Sequence, residues 1–172
     1  MVQLIVFKLA DQEFAAEIDQ VREIITRTAI TPIPDSPDFI KGVTNVRGEI
    51  AVVIDLRSRF FLPAQDGQEE RHVVMTEQEK NLFGLMVDEV TEVLRMPRDT
   101  IKATPEVVTR IDRLYISGVI TISNRLIMLL DLSKVLSEAE LKKLSDVGAQ
   151  HRQTIDRSTA RAEAEQVQDA AG

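Results

Sequence analysis

The chain has 172 residues, 44% of them hydrophobic, and a formal net charge of −7, which suits one domain of ordinary size or two small lobes that share a core. Scattered lysines and arginines, a single tyrosine and no tryptophan argue against a nucleic-acid-binding protein, whose surface concentrates cations and stacking rings. The absence of cysteine excludes disulfides, thiolate metal sites and a cysteine nucleophile. We find neither a signal-peptide pattern nor an apolar run of about 20 residues, so we expect a cytoplasmic protein without direct membrane insertion.

The first predicted element is a β-hairpin over residues 3–18, in which two apolar segments flank a polar break. The DQVREII segment that follows fits two structures. Val21, Glu23 and Ile25 alternate as in an edge strand, whereas Val21, Ile24 and Ile25 would share one face of a helical turn. We favour the strand, because five strands per half of the chain would form a small closed barrel.

A second hairpin is predicted at residues 39–60, after a connector over residues 31–37 whose three prolines cannot donate to a sheet. Arg47 and Gly48 interrupt two β-branched segments, as is typical of a hairpin tip. The second segment is apolar on consecutive residues, which indicates burial on both faces. Asp55 then precedes a short segment and is predicted to cap a helical turn rather than to act in catalysis.

The sequence repeats itself. At an offset of 76 residues, residues 39–60 align without a gap on residues 115–136, and at an offset of 69, residues 14–25 align on residues 83–94. The polar segment at residues 62–71 separates the two copies. The chain therefore consists of two tandem halves, each with a hairpin, an Asp-x-Val-x-Glu segment and a second hairpin.

The second copy of the 39–60 hairpin is predicted to turn at residues 123–125, and Asp131 is its predicted helix cap. Ser137 and Glu140 form a capping box for a closing helix. From residue 148 onward the chain is polar and small, which predicts a mobile tail.

Motifs for catalysis or for metal and phosphate binding are absent. His72 and His151 stand apart from any carboxylate cluster with ligand spacing, so we expect no enzyme activity, cofactor or metal. Arg47 is the residue that this pattern leaves unexplained, because its counterpart in the repeat is Ser123. It is either a solvated turn arginine, or an exposed guanidinium that binds a partner's carboxylate or orders Glu23.

The stretch IKGVTNVRGEIAVVIDLR resembles the CheW family of chemotaxis coupling proteins. The segments DQVREII, TPIPDSPDF, GLMVDEVTEVL and YISGVITISNRLIMLLDLSKVL agree with it, and the resemblance covers about residues 1–144. It implies a mainly β fold of two tandem five-stranded SH3/OB-like β-barrels that share a hydrophobic core, with a short C-terminal helix.

On this basis we expect a CheW-like domain at residues 1–147 and a mobile polar tail at residues 148–172. The first barrel is expected at about residues 15–61 plus paired strands, the second at about residues 71–136, and the closing helix at residues 138–146.

The resemblance also implies a function without chemistry, which is to bridge chemoreceptors to the regulatory domain of the histidine kinase CheA. By position, the receptor-binding residues are Val21, Glu23, Ile24, Asn45, Arg47 and Ile50. The kinase-binding residues are Lys102, Glu106 and Val107. The alternative is a small barrel that binds single-stranded nucleic acid.

Overall fold

A computed structural model describes residues 1–26, 28–63, 71–104 and 115–135. Within these ranges it contains ten β-strands, one short α-helix and three 3₁₀ turns. The strands are β1 (Val2–Leu9), β2 (Gln12–Glu17), β3 (Glu23–Ile25), β4 (Ile40–Val46), β5 (Glu49–Asp55), β6 (His72–Gln78), β7 (Asn81–Val87), β8 (Glu89–Met96), β9 (Ile116–Ile122) and β10 (Arg125–Leu130). The helix α1 spans Leu56–Arg59, and the 3₁₀ turns span Ile18–Gln20, Arg98–Thr100 and Leu132–Lys134.

The strands form two five-stranded sheets, which we call sheet 1 (order β8-β1-β2-β10-β9) and sheet 2 (order β3-β6-β7-β5-β4). The orders match strand for strand when each element is replaced by its repeat counterpart. Each sheet joins the first hairpin of one half to the second hairpin of the other half. Parallel pairing of β2 with β10 and of β5 with β7 makes these joints, so the two halves are interleaved.

The mainly β fold with two five-stranded units is confirmed, but the prediction of closed barrels is wrong. A closed barrel would pair the two edge strands of each sheet. In sheet 2, β3 is not hydrogen-bonded to β4, and in sheet 1, β8 is not hydrogen-bonded to β9. Single bridges from the connectors, Thr31 to Val43 and Lys102 to Val119, lie along the two open edges. The strand β3 has only three residues and leads into the proline-rich connector, which leaves too few donors for a full ladder. The predicted closing helix at residues 138–146 lies outside the described residues.

All four hairpins turn through two residues that both have positive φ, the geometry of a type I′ turn, which matches the twist of antiparallel strands. Arg47 and Gly48 form the turn between β4 and β5, and Ser123 and Asn124 form its counterpart between β9 and β10. Both turns occur where the sequence predicted them. Because a two-residue turn fixes the register, each hairpin holds the residues beside its tip in defined positions.

Two glycines at equivalent repeat positions let the connectors approach the edge strands. A Cβ atom on Gly42, which has a φ of +149°, would lie 2.1 Å from the carbonyl oxygen of Thr31. On Gly118 it would lie 2.9 Å from the carbonyl oxygen of Lys102. Neither contact leaves room for a side chain, so the bridges along both open edges depend on glycine.

The core consists of apolar residues from both sheets. One cluster of sheet 1 includes Leu4 and Ile127, and one of sheet 2 includes Val73 and Met75. Phe14 of sheet 1 packs against Phe60, which follows α1, with 6.3 Å between the ring centroids. These contacts bury large apolar surfaces, the main favourable term in folding.

Asp55 and Asp131 cap the turns that follow their strands, as predicted. The carboxylate of Asp55 accepts a hydrogen bond from the amide of Arg57, and that of Asp131 accepts one from the amide of Ser133, each at 3.0 Å. Burial opposes ionisation of Asp131, but hydrogen bonds from Ser133 and Gln20 outweigh it and lower the pKa of this carboxyl.

A buried ion pair joins elements that are distant in sequence. The guanidinium of Arg57 in α1 binds the carboxylate of Asp88 through two nitrogens, one of them Nε at 2.5 Å from Oδ1. Asp88 also accepts a hydrogen bond from the amide of Ala10 in the β1–β2 turn at 2.9 Å. Burial raises the pKa of Asp88. Its hydrogen bonds with Arg57 and Ala10, and the positive charges of Arg57 and Arg71, lower the pKa by more than burial raises it, so the net shift is downward.

Arg59 lies midway between two aromatic rings at equivalent repeat positions. Its guanidinium carbon is 5.2 Å from the ring centroid of Phe39 and 5.1 Å from that of Tyr115, within the range of a cation–π interaction. The repeat counterpart of Arg59 is Val135, whose carbonyl oxygen accepts a hydrogen bond from Arg59 Nε at 3.0 Å. A single arginine therefore links the two halves.

Candidate functional site

A cleft of about 320 Å³ opens at the end of sheet 2 where the β4–β5 hairpin turns. Its lining residues come from both halves of the chain: Arg22, Glu23, Val46, Arg47, Glu49 and Leu82. The type I′ turn holds Arg47 at the rim, and the parallel pairing of β5 with β7 brings Leu82 beside β5. We call this surface the sheet 2 cleft.

The charges of the cleft are paired only at the surface. Arg47 Nη2 lies 3.3 Å from Glu23 Oε2, and Arg22 Nη1 lies 2.9 Å from Glu49 Oε2 and 3.6 Å from Glu77 Oε2. The Arg47 side chain is 84% exposed. Ion pairs this exposed contribute about 0–1 kcal/mol each. A partner carboxylate can therefore replace Glu23 on Arg47 at little cost.

Apolar side chains complete the cleft. Val46 and Leu82 line the cleft together with four charged residues, so a partner surface with both an apolar side chain and a carboxylate would match it. Such a combination of a desolvated apolar contact with a charge-assisted hydrogen bond is typical of protein–protein contacts.

The structure places the predicted receptor-binding residues at different depths. Glu23 and Arg47 line the cleft and contact each other. Asn45 is exposed, and its side-chain oxygen accepts a hydrogen bond from the amide of Gly48 at 2.8 Å, which braces the turn. Ile24 is exposed on the edge strand β3. Ile50 is only 8% exposed, within the core.

Val21 is half-buried at the end of the Ile18–Gln20 turn, where its amide donates to the carbonyl oxygen of Ile18 at 3.0 Å. Val21 thus lies between this turn and β3, and the cleft residue Arg22 follows it in sequence.

Of the predicted kinase-binding residues, only Lys102 is described, and Glu106 and Val107 lie outside the described residues. The backbone of Lys102 forms two hydrogen bonds with Val119 at 2.9 Å, beside the edge strand β9 of sheet 1. Its exposed side chain donates to the carbonyl oxygen of Asp99 at 3.0 Å. Lys102 therefore lies beside sheet 1, whereas Glu23 and Arg47 line the cleft of sheet 2.

Four cleft residues were not singled out from the sequence as site residues: Arg22, Val46, Glu49 and Leu82. Arg22 and Glu49 carry opposite charges next to predicted site residues, a signal that charge patterning could have used. Leu82 gives no such signal, because only the parallel pairing of Ala51 in β5 with Leu82 in β7 brings it to the cleft.

The described part of the chain contains no group of three or more residues that could hold a metal ion. His72, one of the two histidines considered above, accepts a hydrogen bond at Nδ1 from the amide of Val90 at 2.7 Å, a contact between β6 and β8. Across the same residues, none of the helices has the length and hydrophobicity needed to cross a membrane.

Comparisons with known proteins agree with the fold. The family model of the CheW-like domain matches residues 3–140. A protein of Rhizobium etli named probable chemotaxis protein CheW is 34% identical over 138 residues, which cover 80% of this chain and 89% of the relative. Chemotaxis protein CheW of Klebsiella aerogenes is 32% identical over 149 residues, with 87% and 90% covered.

Among solved structures, the chain is similar to the scaffolding protein TtCheW from Thermoanaerobacter tengcongensis, with a TM-score of 0.73 and 31% identity. The match covers 79% of this chain and 88% of that one. With a family model over most of its length, and relatives above 30% identity that it covers almost completely, the chain belongs to the family of CheW-like domain proteins.

Proposed function

We propose that this chain is a non-enzymatic chemotaxis adaptor that couples chemoreceptors to the histidine kinase CheA in signalling arrays. Relatives named chemotaxis protein CheW match it over about nine-tenths of their length, and the similar solved structure is titled a scaffolding protein. The alternative, a barrel for single-stranded nucleic acid, has no support among these relatives and is not proposed further.

The observation that carries the proposal is the sheet 2 cleft with Arg47 at its rim. Its guanidinium is exposed and held at a fixed turn, and its ion pair with Glu23 is weak enough to be exchanged. The cytoplasmic tip of a chemoreceptor binds here in our proposal, with Arg47 on a receptor carboxylate and the apolar residues Val46 and Leu82 beneath it. Ile24, on the exposed edge of β3, extends this contact.

The kinase contact is proposed for the surface around Lys102, together with Glu106 and Val107. Lys102 lies along sheet 1, whereas the cleft belongs to sheet 2. An adaptor with its two contacts on separate sheets can hold receptor and kinase at the same time. The chain is thus cytoplasmic and recruited to membrane-associated arrays, with residues 1–147 as the adaptor domain and residues 148–172 as a polar tail that is dispensable for folding.

The test is a titration of the purified chain with a soluble tip fragment of a chemoreceptor from the same cells. Asn is the substitution of choice at Arg47, because it removes the guanidinium but tolerates the positive φ that alanine would strain. Loss of a charge-assisted hydrogen bond should weaken binding by roughly 1.5–3 kcal/mol, about tenfold to 150-fold.

The matched control is Ser123→Asn, which places the same residue at the equivalent position in the counterpart turn of sheet 1. It should leave receptor binding unchanged, and both variants should bind the regulatory domain of CheA as the wild type does. Normal receptor binding by Arg47→Asn would refute the assignment of the cleft.

A further inference from the structure

Sheet 1 contains counterparts of the positions that line the sheet 2 cleft, because the two sheets are built from equivalent strands in the same order. The edge-strand glutamate is the same in both sheets, but the other five lining residues differ. The counterparts of Glu23, Glu49 and Leu82 are Glu92, Arg125 and Glu13, respectively.

In sheet 1 these three side chains meet. Arg125 Nη2 lies 2.5 Å from Glu13 Oε1 and 2.5 Å from Glu92 Oε1, and Arg125 Nε donates to Glu13 Oε2 at 3.0 Å. One guanidinium thus links the start of β10 to β2 and to the edge strand β8 on the far side of the sheet. We call these three residues the Arg125 clamp.

The clamp is held more firmly than the ion pairs of the cleft. The Arg125 side chain is 38% exposed and that of Glu13 is 17% exposed, compared with 84% for Arg47. The two-nitrogen contact with Glu13 is the strong form of an arginine–carboxylate bond. The hydrogen bond from Arg125 lowers the pKa of Glu13, against the effect of burial.

In sheet 2 the same positions do not form a clamp. The side chain of Leu82 cannot accept a hydrogen bond. Glu49 is a carboxylate and cannot bind Glu23 as Arg125 binds Glu92, and it pairs with Arg22. Glu23 is left to the exposed Arg47. The counterpart of Arg47 in sheet 1 is Ser123, which carries no charge.

We infer that the Arg125 clamp closes the counterpart cleft of sheet 1 and is the specificity determinant that limits this adaptor to one receptor-binding site. The inference rests on the proposed receptor binding at the sheet 2 cleft. A guanidinium that already holds two carboxylates has few donors left for a partner, and a partner would have to break the bidentate bond to enter. The two sheets are equivalent in fold, but at the tip of the second hairpin sheet 2 presents the exposed Arg47, whereas sheet 1 has the uncharged Ser123.

The first experiment installs the clamp in sheet 2 with the double variant Leu82→Glu, Glu49→Arg, while Arg47 stays in place. Titration with the receptor tip fragment should show at least tenfold weaker binding, because the new arginine would hold Glu23 and close the cleft. The matched control, Leu82→Gln with Glu49→Gln, removes the same leucine and carboxylate without installing the clamp, so the clamped variant should bind at least tenfold more weakly than this control as well. Wild-type affinity of the clamped variant would overturn the inference.

The second experiment opens sheet 1 with Glu13→Leu, Ser123→Arg and Arg125→Glu. The number of receptor fragments bound per chain, measured by calorimetry, should rise from one to two. When Arg47→Asn is present as well, one site with an affinity near that of the wild type should return. A folded triple variant that still binds one fragment would overturn the inference. This second experiment therefore tests the inference even if the clamped variant of the first experiment does not fold.

The two proposals fail in different ways. If Arg47→Asn binds the receptor fragment normally, the cleft is not the receptor site and the proposed function of the cleft fails. If Arg47→Asn weakens binding as expected but neither clamp exchange changes affinity or stoichiometry, the receptor site stands and the role of Arg125 is refuted.

Discussion

The buried pair of Arg57 and Asp88 allows a quantitative prediction. Asp88→Ala removes the carboxylate and leaves the Arg57 guanidinium, which is 6% exposed, without its main partner. Removing one member of a buried pair costs about 3–5 kcal/mol, because the remaining charge stays desolvated. Asp55 also acts on the charge of Arg57, so we expect the lower end, about 3 kcal/mol.

A loss of this size corresponds to a fall of about 6–12 °C in the midpoint of thermal unfolding for a domain of this length. The free energy of unfolding, from urea titration followed by circular dichroism, is the direct measurement. The repeat supplies a control, because Asp19 is the counterpart of Asp88 but is exposed. Asp19→Ala should change stability by no more than about 0.5 kcal/mol. If the two variants differ by less than 1 kcal/mol, the ion pair does not stabilise the interleaved halves as we reason.

Two further predictions concern stability. Gly42→Ala should destabilise the chain more than Gly118→Ala, because Gly42 combines a positive φ with the closer backbone contact; urea titration of both variants tests this, and equal losses would contradict it. Acid should destabilise the wild type, because the pKa values of Asp88 and Asp131 are lowered in the folded state. Each of these carboxylates contributes its full stability above the pKa of the unfolded state, ~3.9, and loses that contribution as the pH falls through the pKa of the folded state. Between pH 7 and pH 3, Asp88→Ala should therefore lose less stability than the wild type, and parallel curves for the two proteins would exclude Asp88 as a cause.

Local patterns were sufficient to predict the elements of this fold. Turn chemistry located the tips at Arg47-Gly48 and Ser123-Asn124, and the aspartate before each short helical segment located the caps. These features depend on a few adjacent residues, so a single sequence carries the information.

Pairing between distant strands could not be predicted in the same way. The interleaving of the halves depends on the parallel contacts of β2 with β10 and of β5 with β7, and a pattern within one strand does not name its neighbour. The open edges, the place of Leu82 in the cleft and the contact of Arg125 with Glu13 all follow from that pairing. Of the cleft residues, Arg47 at the hairpin tip and Glu23 on β3 were predicted, whereas Leu82, which β7 contributes across the sheet, was not.

The position of Arg59 has a consequence for how such a molecule can be built. It bridges the equivalent rings of Phe39 and Tyr115 and binds the backbone of its own counterpart, Val135. A dimer of two identical halves would bring either two arginines or two valines to this place. Two arginines would repel each other between the rings, and two valines would leave both rings without a cation. The contacts around Arg59 therefore require two unlike halves. Covalent linkage of the halves in one chain places an arginine-bearing half beside a valine-bearing half in every molecule.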